Sequence, residues 1–473
     1  MQINRRIKLG ALFLGVAFTL SYAAGRLRAD GSSGVSVAPN SADKGGLEIS
    51  AVVPRILDQL QEPDNPQMRD KPLIVTRVKL PRKSYGVGFL ASAANSSGSV
   101  VSASVIRVGS NFQISWATTG ELTTVRISEG TSPDQIDNQV SEVSGITSTT
   151  VTGLDLNQRH YFRVKGGTGD GVIAAERGVP QLGVLNFRDA GGYSTVPNAG
   201  GHVKNVRWGM FFRSGGPTAQ SNQGFLTTLG VRTIIDARAP SEITAAAPHW
   251  NVAGVNVIAS PIFDQTVGGI PDPVTPRLCL PQNVSSSDPT HHYFAFDPVC
   301  FADQDLFYGP NGEFFTQFKT DAFRGFASGV GPPGANFGPT VNAALRTTLI
   351  ALTDSNNLPL VWADSGGAAR TGWATAVVLM ALGVTEEEVM QDYLLTNQFR
   401  GPINNAQLNA LVGSGRLGKS VYLEPQLFER PEFLQAAIDQ MHQLYGTFEN
   451  YAHQALGITD QQLEQIRANL LKG

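Results

Sequence analysis

Short segments of alternating apolar and polar residues occupy the chain between about residues 101 and 180. They are FQISWA, LTTVRISEG, STTVTGL, HYFRVKG and GVIAAERG, and clusters of Gly, Asn, Asp and Ser separate them. Several short strands at this spacing, divided by turn residues, are typical of packed antiparallel sheets. The pattern predicts an all-β sandwich over 101–180.

After Val184 the pattern changes to strands and helices in turn. Strand-like FFRSG, RTIIDAR and PLVWA are followed by the apolar helical stretch WATAVVLMALGV and by amphipathic helices near the C-terminus. A long insertion at about 259–336 interrupts this order. Its many aromatic residues are expected to anchor it on the domain, with a stacking site as the alternative. The order predicts one sheet flanked by helices, an α/β domain over 181–473.

The first residues have the pattern of an export signal. Arg5, Arg6 and Lys8 precede the apolar run LGALFLGVAFTLSYAA, which ends in small residues. We predict a signal peptide at 1–24, a linker of little order at 25–100 and an exported protein. An uncleaved N-terminal anchor is the alternative, although the run is shorter than the roughly 20 residues that span a bilayer. No later segment resembles a membrane span.

Composition limits the partners more than it indicates a function. The chain has 473 residues, of which 41% are hydrophobic, enough for two or three packed cores. Its net charge is −3 and its basic residues form no long run, so no nucleic-acid partner is expected.

Both cysteines, Cys279 and Cys300, lie in the insertion. Because disulfides persist in exported proteins, we predict that these two residues are paired. Two unpaired thiols in a flexible segment are the alternative.

The segment LPLVWADSGGAARTGWATAVVLMALG carries the strongest chemical signal. An apolar strand, a loop with two glycines and a helix follow one another, so that backbone N–H groups and the positive end of the helix dipole converge. The segment predicts an anion cradle. Its candidate residues are Asp364, Ser365, Gly366, Gly367, Ala368, Ala369, Arg370 and Thr371.

Other segments share a pattern with one family in the same order. They are LNFRDAGGY, FFRSG, GVRTIIDARAPSE, DYLLTN and the helical tail RPEFLQAAIDQMHQLYGTFENYAHQALGI. Together with the cradle they resemble the bacterial tyrosine and dual-specificity phosphatases, whose phosphate loop reads H-C-x-x-G-K-D-R-T-G. The resemblance implies an α/β cysteine-phosphatase fold.

The resemblance also assigns positions in the loop. Asp364 stands where the family has its nucleophilic cysteine, and Arg370 stands where its arginine holds two phosphate oxygens. Ala363, Ala368 and Ala369 replace the family's histidine, lysine and aspartate. Thiol-based phosphate chemistry is therefore not expected.

A carboxylate is a weak nucleophile towards a phosphoryl group, and it repels an anionic substrate. We expect Asp364 to accept loop N–H groups and the guanidinium fork of Arg370, so that the loop holds its own anion. These expectations together predict an exported pseudophosphatase. It would bind a protein partner, a phosphorylated ligand or another anionic ligand, and no metal or cofactor is expected. The alternatives are a phosphomonoesterase that works without a thiol, including aspartyl chemistry, and a structural envelope or surface protein.

Further charged residues lie in the same segments. Asp189, Asp236, Arg238 and Glu242 are expected to form buried pairs that support the strand ends beside the loop, with a role of Asp236 or Arg238 in lining a ligand cleft as the alternative.

The sandwich segment has a resemblance of its own. Trp116 and the sequence TVTGLDLNQRHYFRVKG are similar to a fibronectin type III domain. Alternation places His160, not Tyr161, where that family's corner tyrosine points inward. A spacer, or a docking module for a protein partner, is the expected role.

Overall fold

The computed structural model describes most of the chain after the predicted linker. The predicted signal peptide, most of that linker and both cysteines lie outside the described residues. No described helix is long and apolar enough to cross a membrane. The described residues are 98–120, 122–167, 169–197, 201–243, 247–262, 305, 309–329, 340–413 and 417–472.

The first part of the described chain forms two antiparallel sheets. Their sheet orders are β1-β2-β5 and β4-β3-β6-β7. Inward residues of both sheets form one shared core, including Phe112 and Ile114 from one sheet and Ile127 and Phe162 from the other. That the two sheets belong to the fibronectin type III family stays a prediction. The strands are β1 Ser99–Val108, β2 Asn111–Thr119, β3 Val125–Gly130, β4 Asn138–Val143, β5 Ser148–Val151, β6 Tyr161–Lys165 and β7 Val172–Ala175.

His160 points into this core, as the alternation predicts. Its Nδ1 lies 2.7 Å from Glu129 Oε1, and its Nε2 lies 2.7 Å from the carbonyl oxygen of Asp155. Tyr161 faces the opposite way and packs in a small cluster with Trp208 of the following domain. The histidine therefore ties the start of β6 to the preceding turn.

Buried polar and aromatic contacts join the sandwich to the domain that follows. Arg159 donates to Asp189 Oδ2 at 3.0 Å, and both side chains are buried. The indole of Trp208 donates to the carbonyl oxygen of Ile173 at 3.0 Å. Arg159 of the sandwich is therefore the cation that pairs with this buried carboxylate of the following domain.

The α/β domain is built on a five-stranded sheet with the order β12-β11-β13-β10-β8. Its four longer strands are parallel, and β8 pairs antiparallel with β10. Three of these longer strands, β10, β11 and β13, are buried along their whole length, as expected where helices cover both faces of a sheet. The strands are β8 Arg188–Asp189, β10 Phe211–Ser214, β11 Thr233–Asp236, β12 Asn256–Ala259 and β13 Leu360–Ala363, and a separate pair joins β9 Asn205–Val206 to β14 Leu471–Lys472.

Helices pack around this sheet and complete its largest core. The most buried of them, α4, follows β13 after a loop of five residues and is almost entirely enclosed. The predicted sheet flanked by helices is thus present. The helices are α1 Phe225–Thr228, α2 Glu313–Ser328, α3 Thr340–Thr353, α4 Ala369–Ala381, α5 Glu386–Gly413, α6 Glu424–Leu427, α7 Pro431–Tyr445, α8 Phe448–Gln454 and α9 Asp460–Leu470.

The described part of the predicted insertion at 259–336 contains the helix α2. This helix buries Phe315, Phe323 and Phe326 completely or nearly so and packs along α7. The aromatic residues of α2 thus anchor this part of the segment in the domain core, as expected, and the bounds of the insertion stay a prediction. Apolar residues repeat along one face of α2, which explains why it packs as a core helix.

Candidate functional site

The cradle predicted from the sequence lies at the centre of the sheet edge. Strand β13 lies between β11 and β10, and loop 364–368 leaves its carboxyl end before α4 begins at Ala369. Gly367 has a φ of +64°, and a Cβ there would lie 2.5 Å from the backbone nitrogen of Gly215. This position requires glycine because of both its conformation and the close approach of β10.

Asp364 turns its carboxylate back into this loop. Its Oδ1 accepts from the backbone nitrogens of Gly366 at 2.7 Å and Gly367 at 2.5 Å, and its Oδ2 accepts from that of Thr371 at 3.0 Å. The residue is only 2% exposed. The backbone donors of the loop and of the first turn of α4 therefore already hold an anion, and that anion belongs to the protein.

Arg370 has a different main partner from the one predicted. Its two terminal nitrogens donate to Glu242, at 2.8 Å to Oε2 and 2.6 Å to Oε1. Only its Nε lies near Asp364, 3.7 Å from Oδ2. Burial alone would lower the pKa of Arg370, but the carboxylates of Glu242 and Asp364 raise it above its ordinary value. The guanidinium fork thus belongs to Glu242, because Asp364 is turned towards backbone donors.

Glu242 reaches the loop from the short helical turn Pro240–Glu242 that follows β11. Its Oε1 also accepts the Ser365 hydroxyl at 2.5 Å. Although burial would raise the pKa of Glu242, Arg370 holds it below its usual range. One carboxylate therefore fixes both a loop hydroxyl and the loop arginine.

Arginine side chains bind the backbone carbonyl groups of the loop. Arg213 donates to the carbonyl oxygen of Gly367 at 3.1 Å, and Arg400 donates to that of Gly366 at 2.7 Å. Asp392, buried on α5, accepts from Arg213 at 2.6 Å. The loop is consequently clamped on both sides by groups of the protein itself.

The predicted supporting residues also have partners. Arg238 donates to Asp236 with both Nε and a terminal nitrogen, the latter at 2.7 Å, beside the end of β13. Asp189 lies on the edge strand and pairs with Arg159 of the sandwich. Asp236 and Arg238 thus form the expected pair beside the loop, whereas the partner of Asp189 comes from the other domain.

A cleft opens over loop 364–368. Phenylalanines of α2 form one wall, and Lys319 on the same helix pairs with Glu429 at 3.0 Å. Burial lowers the pKa of Lys319 below its ordinary value. The cleft is lined by Phe318, Lys319, Ala322, Phe323, Phe326, Asp364, Gly366, Ala368, Ala369, Arg370, Arg400, Gln426, Leu427 and Glu429.

Sequence reasoning missed Lys319, Arg400 and Glu429. Arg400 follows Asp392 and Thr396 at intervals of four residues, so that the three share one face of α5. Lys319 lies four residues from both Phe315 and Phe323, within the apolar face of α2. Both spacings were available in the sequence, whereas nothing around Glu429 distinguishes it.

In the described part of the chain, no group of three or more His, Cys, Asp or Glu side chains is arranged to hold a metal ion.

Comparison with known proteins gives a consistent result. The model of the tyrosine phosphatase family matches residues 179–472. A Cupriavidus necator protein named "Putative tyrosine-protein phosphatase" is 27% identical over 299 residues, which cover 61% of this chain and 87% of that protein. The "Triple specificity protein phosphatase PtpB" of Mycobacterium tuberculosis is 24% identical over 316 residues, which cover 61% of this chain and 97% of that protein. Because the family match spans more than half of the chain, the protein belongs to the tyrosine phosphatase family.

Proposed function

We propose that this protein is an exported pseudophosphatase, in which Asp364 occupies the position of the family's nucleophilic cysteine. The observation that carries the proposal is the binding of the Asp364 carboxylate by the backbone N–H groups of Gly366, Gly367 and Thr371. In a phosphatase these donors would serve the substrate. Export rests on the predicted signal peptide at 1–24.

Electrostatics favour this assignment. A phosphate placed about 4 Å from the Asp364 carboxylate meets a repulsion of about 4 kcal/mol for each pair of unit charges at an effective dielectric of 20. Arg370 does not offset this cost, because Glu242 already engages both of its terminal nitrogens. A phosphorylated substrate is therefore disfavoured on two sides of the loop.

Hydrolysis by aspartyl chemistry is the less favoured alternative. A nucleophilic carboxylate needs an oxygen directed at the phosphorus atom. Both Asp364 oxygens instead accept hydrogen bonds, one from the loop and the other from the first turn of α4. Attack would require the loop to release one of them first.

Removing the carboxylate gives a direct test of the occupied cradle. We expect Asp364→Ala to bind inorganic phosphate at least about tenfold more tightly than the unmodified protein, since a gain of 1.4 kcal/mol is a small part of the repulsion removed. Isothermal titration of phosphate into both proteins at pH 7 measures the change.

Asp321→Ala is the matched control, because Asp321 lies on the surface in an i,i+3 pair with Arg324. This variant should bind phosphate as the unmodified protein does. Equal or weaker binding by Asp364→Ala, in a folded protein, would count against the proposal.

A further inference from the structure

The cations around the cleft are almost all matched by carboxylates of the protein. Arg370 is engaged by Glu242, and Lys319 lies 3.0 Å from Glu429. Among the described residues, Arg400 alone of the cleft cations has no carboxylate within ion-pair distance. A phosphate dianion would thus meet one unmatched cation, with Asp364 close by. The charge balance favours an uncharged ligand.

Three polar atoms of the cleft-lining side chains have no hydrogen-bond partner among the described residues. They are Arg400 Nε, Gln426 Oε1 and Glu429 Oε1, which comprise one donor and two acceptors. Arg400 and Glu429 are only 7% and 3% exposed. Buried polar atoms of this kind are normally satisfied by a water or a ligand. A hydroxyl group fits such a set, because it can accept from a guanidinium and donate to an oxygen.

Apolar side chains complete the lining of the cleft. Phe318, Phe323 and Phe326 of α2 line it, together with Ala322 and Leu427. Aromatic side chains pack well against another ring in offset or edge-to-face arrangements. The cleft therefore combines a surface for a ring with unsatisfied groups for a hydroxyl.

We propose that this cleft binds an unphosphorylated phenol of the tyrosine side-chain type and discriminates against the phosphorylated form. The inference rests on the proposed function, since it requires that the loop hold its own anion. The bound group would correspond to the dephosphorylated product of the family's reaction. Arg400 and Glu429 would recognise its hydroxyl group. A free phenol and a tyrosine within a peptide share this chemistry.

Binding of matched probes tests the proposal. The peptide acetyl-Gly-Gly-Tyr-Gly-Gly-amide, its O-phosphotyrosine and phenylalanine forms, and p-cresol are titrated into the full chain by calorimetry. We expect the tyrosine peptide, p-cresol or both to bind at least about tenfold more tightly than the phosphopeptide, and the tyrosine peptide to exceed its phenylalanine form severalfold. Which of the two phenols binds more tightly distinguishes the peptide from the free source.

Substitutions connect the preference to the cleft. Arg400→Gln and Glu429→Gln should each reduce the preference for tyrosine over phenylalanine at least threefold. Arg126→Gln, on an exposed ion pair of the sandwich, should leave it unchanged.

The proposal is overturned if the phosphopeptide binds as tightly as the tyrosine peptide, if phenylalanine matches tyrosine, or if no probe binds at 10 mM, the order of a weak fragment affinity. Phosphate release from the phosphopeptide, measured in the same samples, distinguishes a failure of the pseudophosphatase proposal from a failure of the phenol site. Release would contradict the pseudophosphatase, whereas a lost preference without release would overturn only the phenol site.

Discussion

Replacing Asp392 by alanine is expected to lower the free energy of unfolding by about 3–5 kcal/mol, the usual cost of removing one partner from a buried ion pair. Asp392 is 1% exposed. It accepts from Arg213 at 2.6 Å and from Arg188 at 3.4 Å. The substitution would leave two buried guanidinium groups without a carboxylate, and Arg213 would no longer be held against loop 364–368.

The sign of the pH dependence follows from the same pair. Burial raises the pKa of Asp392, but Arg188 and Arg213 outweigh this effect and hold it well below its usual range. Its contribution is therefore fully present above the unfolded-state pKa of about 3.9 and is lost as the pH falls through the lower folded-state value. The difference between the two proteins should be constant above about pH 5.

Equilibrium denaturation in urea at pH 7 and pH 5 measures this difference. Asp321→Ala again serves as the control, because an exposed pair of this kind contributes about 0–1 kcal/mol. A loss of less than about 1 kcal/mol for Asp392→Ala would show that the buried network does not stabilise the site.

Restoring the nucleophile alone should recover almost no phosphatase activity. In Asp364→Cys the thiolate would draw on the helix N-terminus and on the loop N–H groups that Asp364 now engages. The leaving oxygen must also be protonated, and general acid catalysis typically contributes a factor of 10²–10⁴. If the family's lysine and aspartate supply this proton, Ala368 and Ala369, which stand at their positions, cannot do so.

We therefore expect Asp364→Cys, Ala368→Lys and Ala369→Asp together to hydrolyse an aryl phosphate at least about 100-fold faster than Asp364→Cys alone. Adding Ala363→His completes the family pattern. Ala363 is fully buried, so a histidine at this position could disturb strand β13. The triple variant, which keeps Ala363, avoids this disturbance and leaves the test valid. Steady-state rates decide the ranking, and a single variant as fast as the triple one would refute it.

Much of the sheet could be predicted because its strands are short, apolar and bounded by turn residues. The segments RTIIDAR and PLVWA became the buried neighbours β11 and β13. The loop was identifiable because an apolar strand, a segment with two glycines and an apolar helix follow one another in the sequence. His160 could be oriented from alternation alone.

The pairings between distant segments could not be predicted. Glu242 and Arg370 meet only because β11 and β13 are adjacent and parallel, and no local spacing records that adjacency. The contact of Arg159 with Asp189 likewise depends on how the sandwich packs on the domain. The packing of α2 on α7 could not be predicted either, because α7 follows much later in the chain.

We propose that Asp364, by occupying the anion site of its own loop, prevents phosphate turnover. Phosphate release from an aryl phosphate by the unmodified, folded protein tests it most directly. We expect a rate indistinguishable from that of buffer. A turnover of about 1 s⁻¹ or faster lies in the ordinary range of enzymes. If the unmodified protein reached this rate and Asp364→Ala lost it, Asp364 would be a catalytic residue and the pseudophosphatase proposal would be wrong.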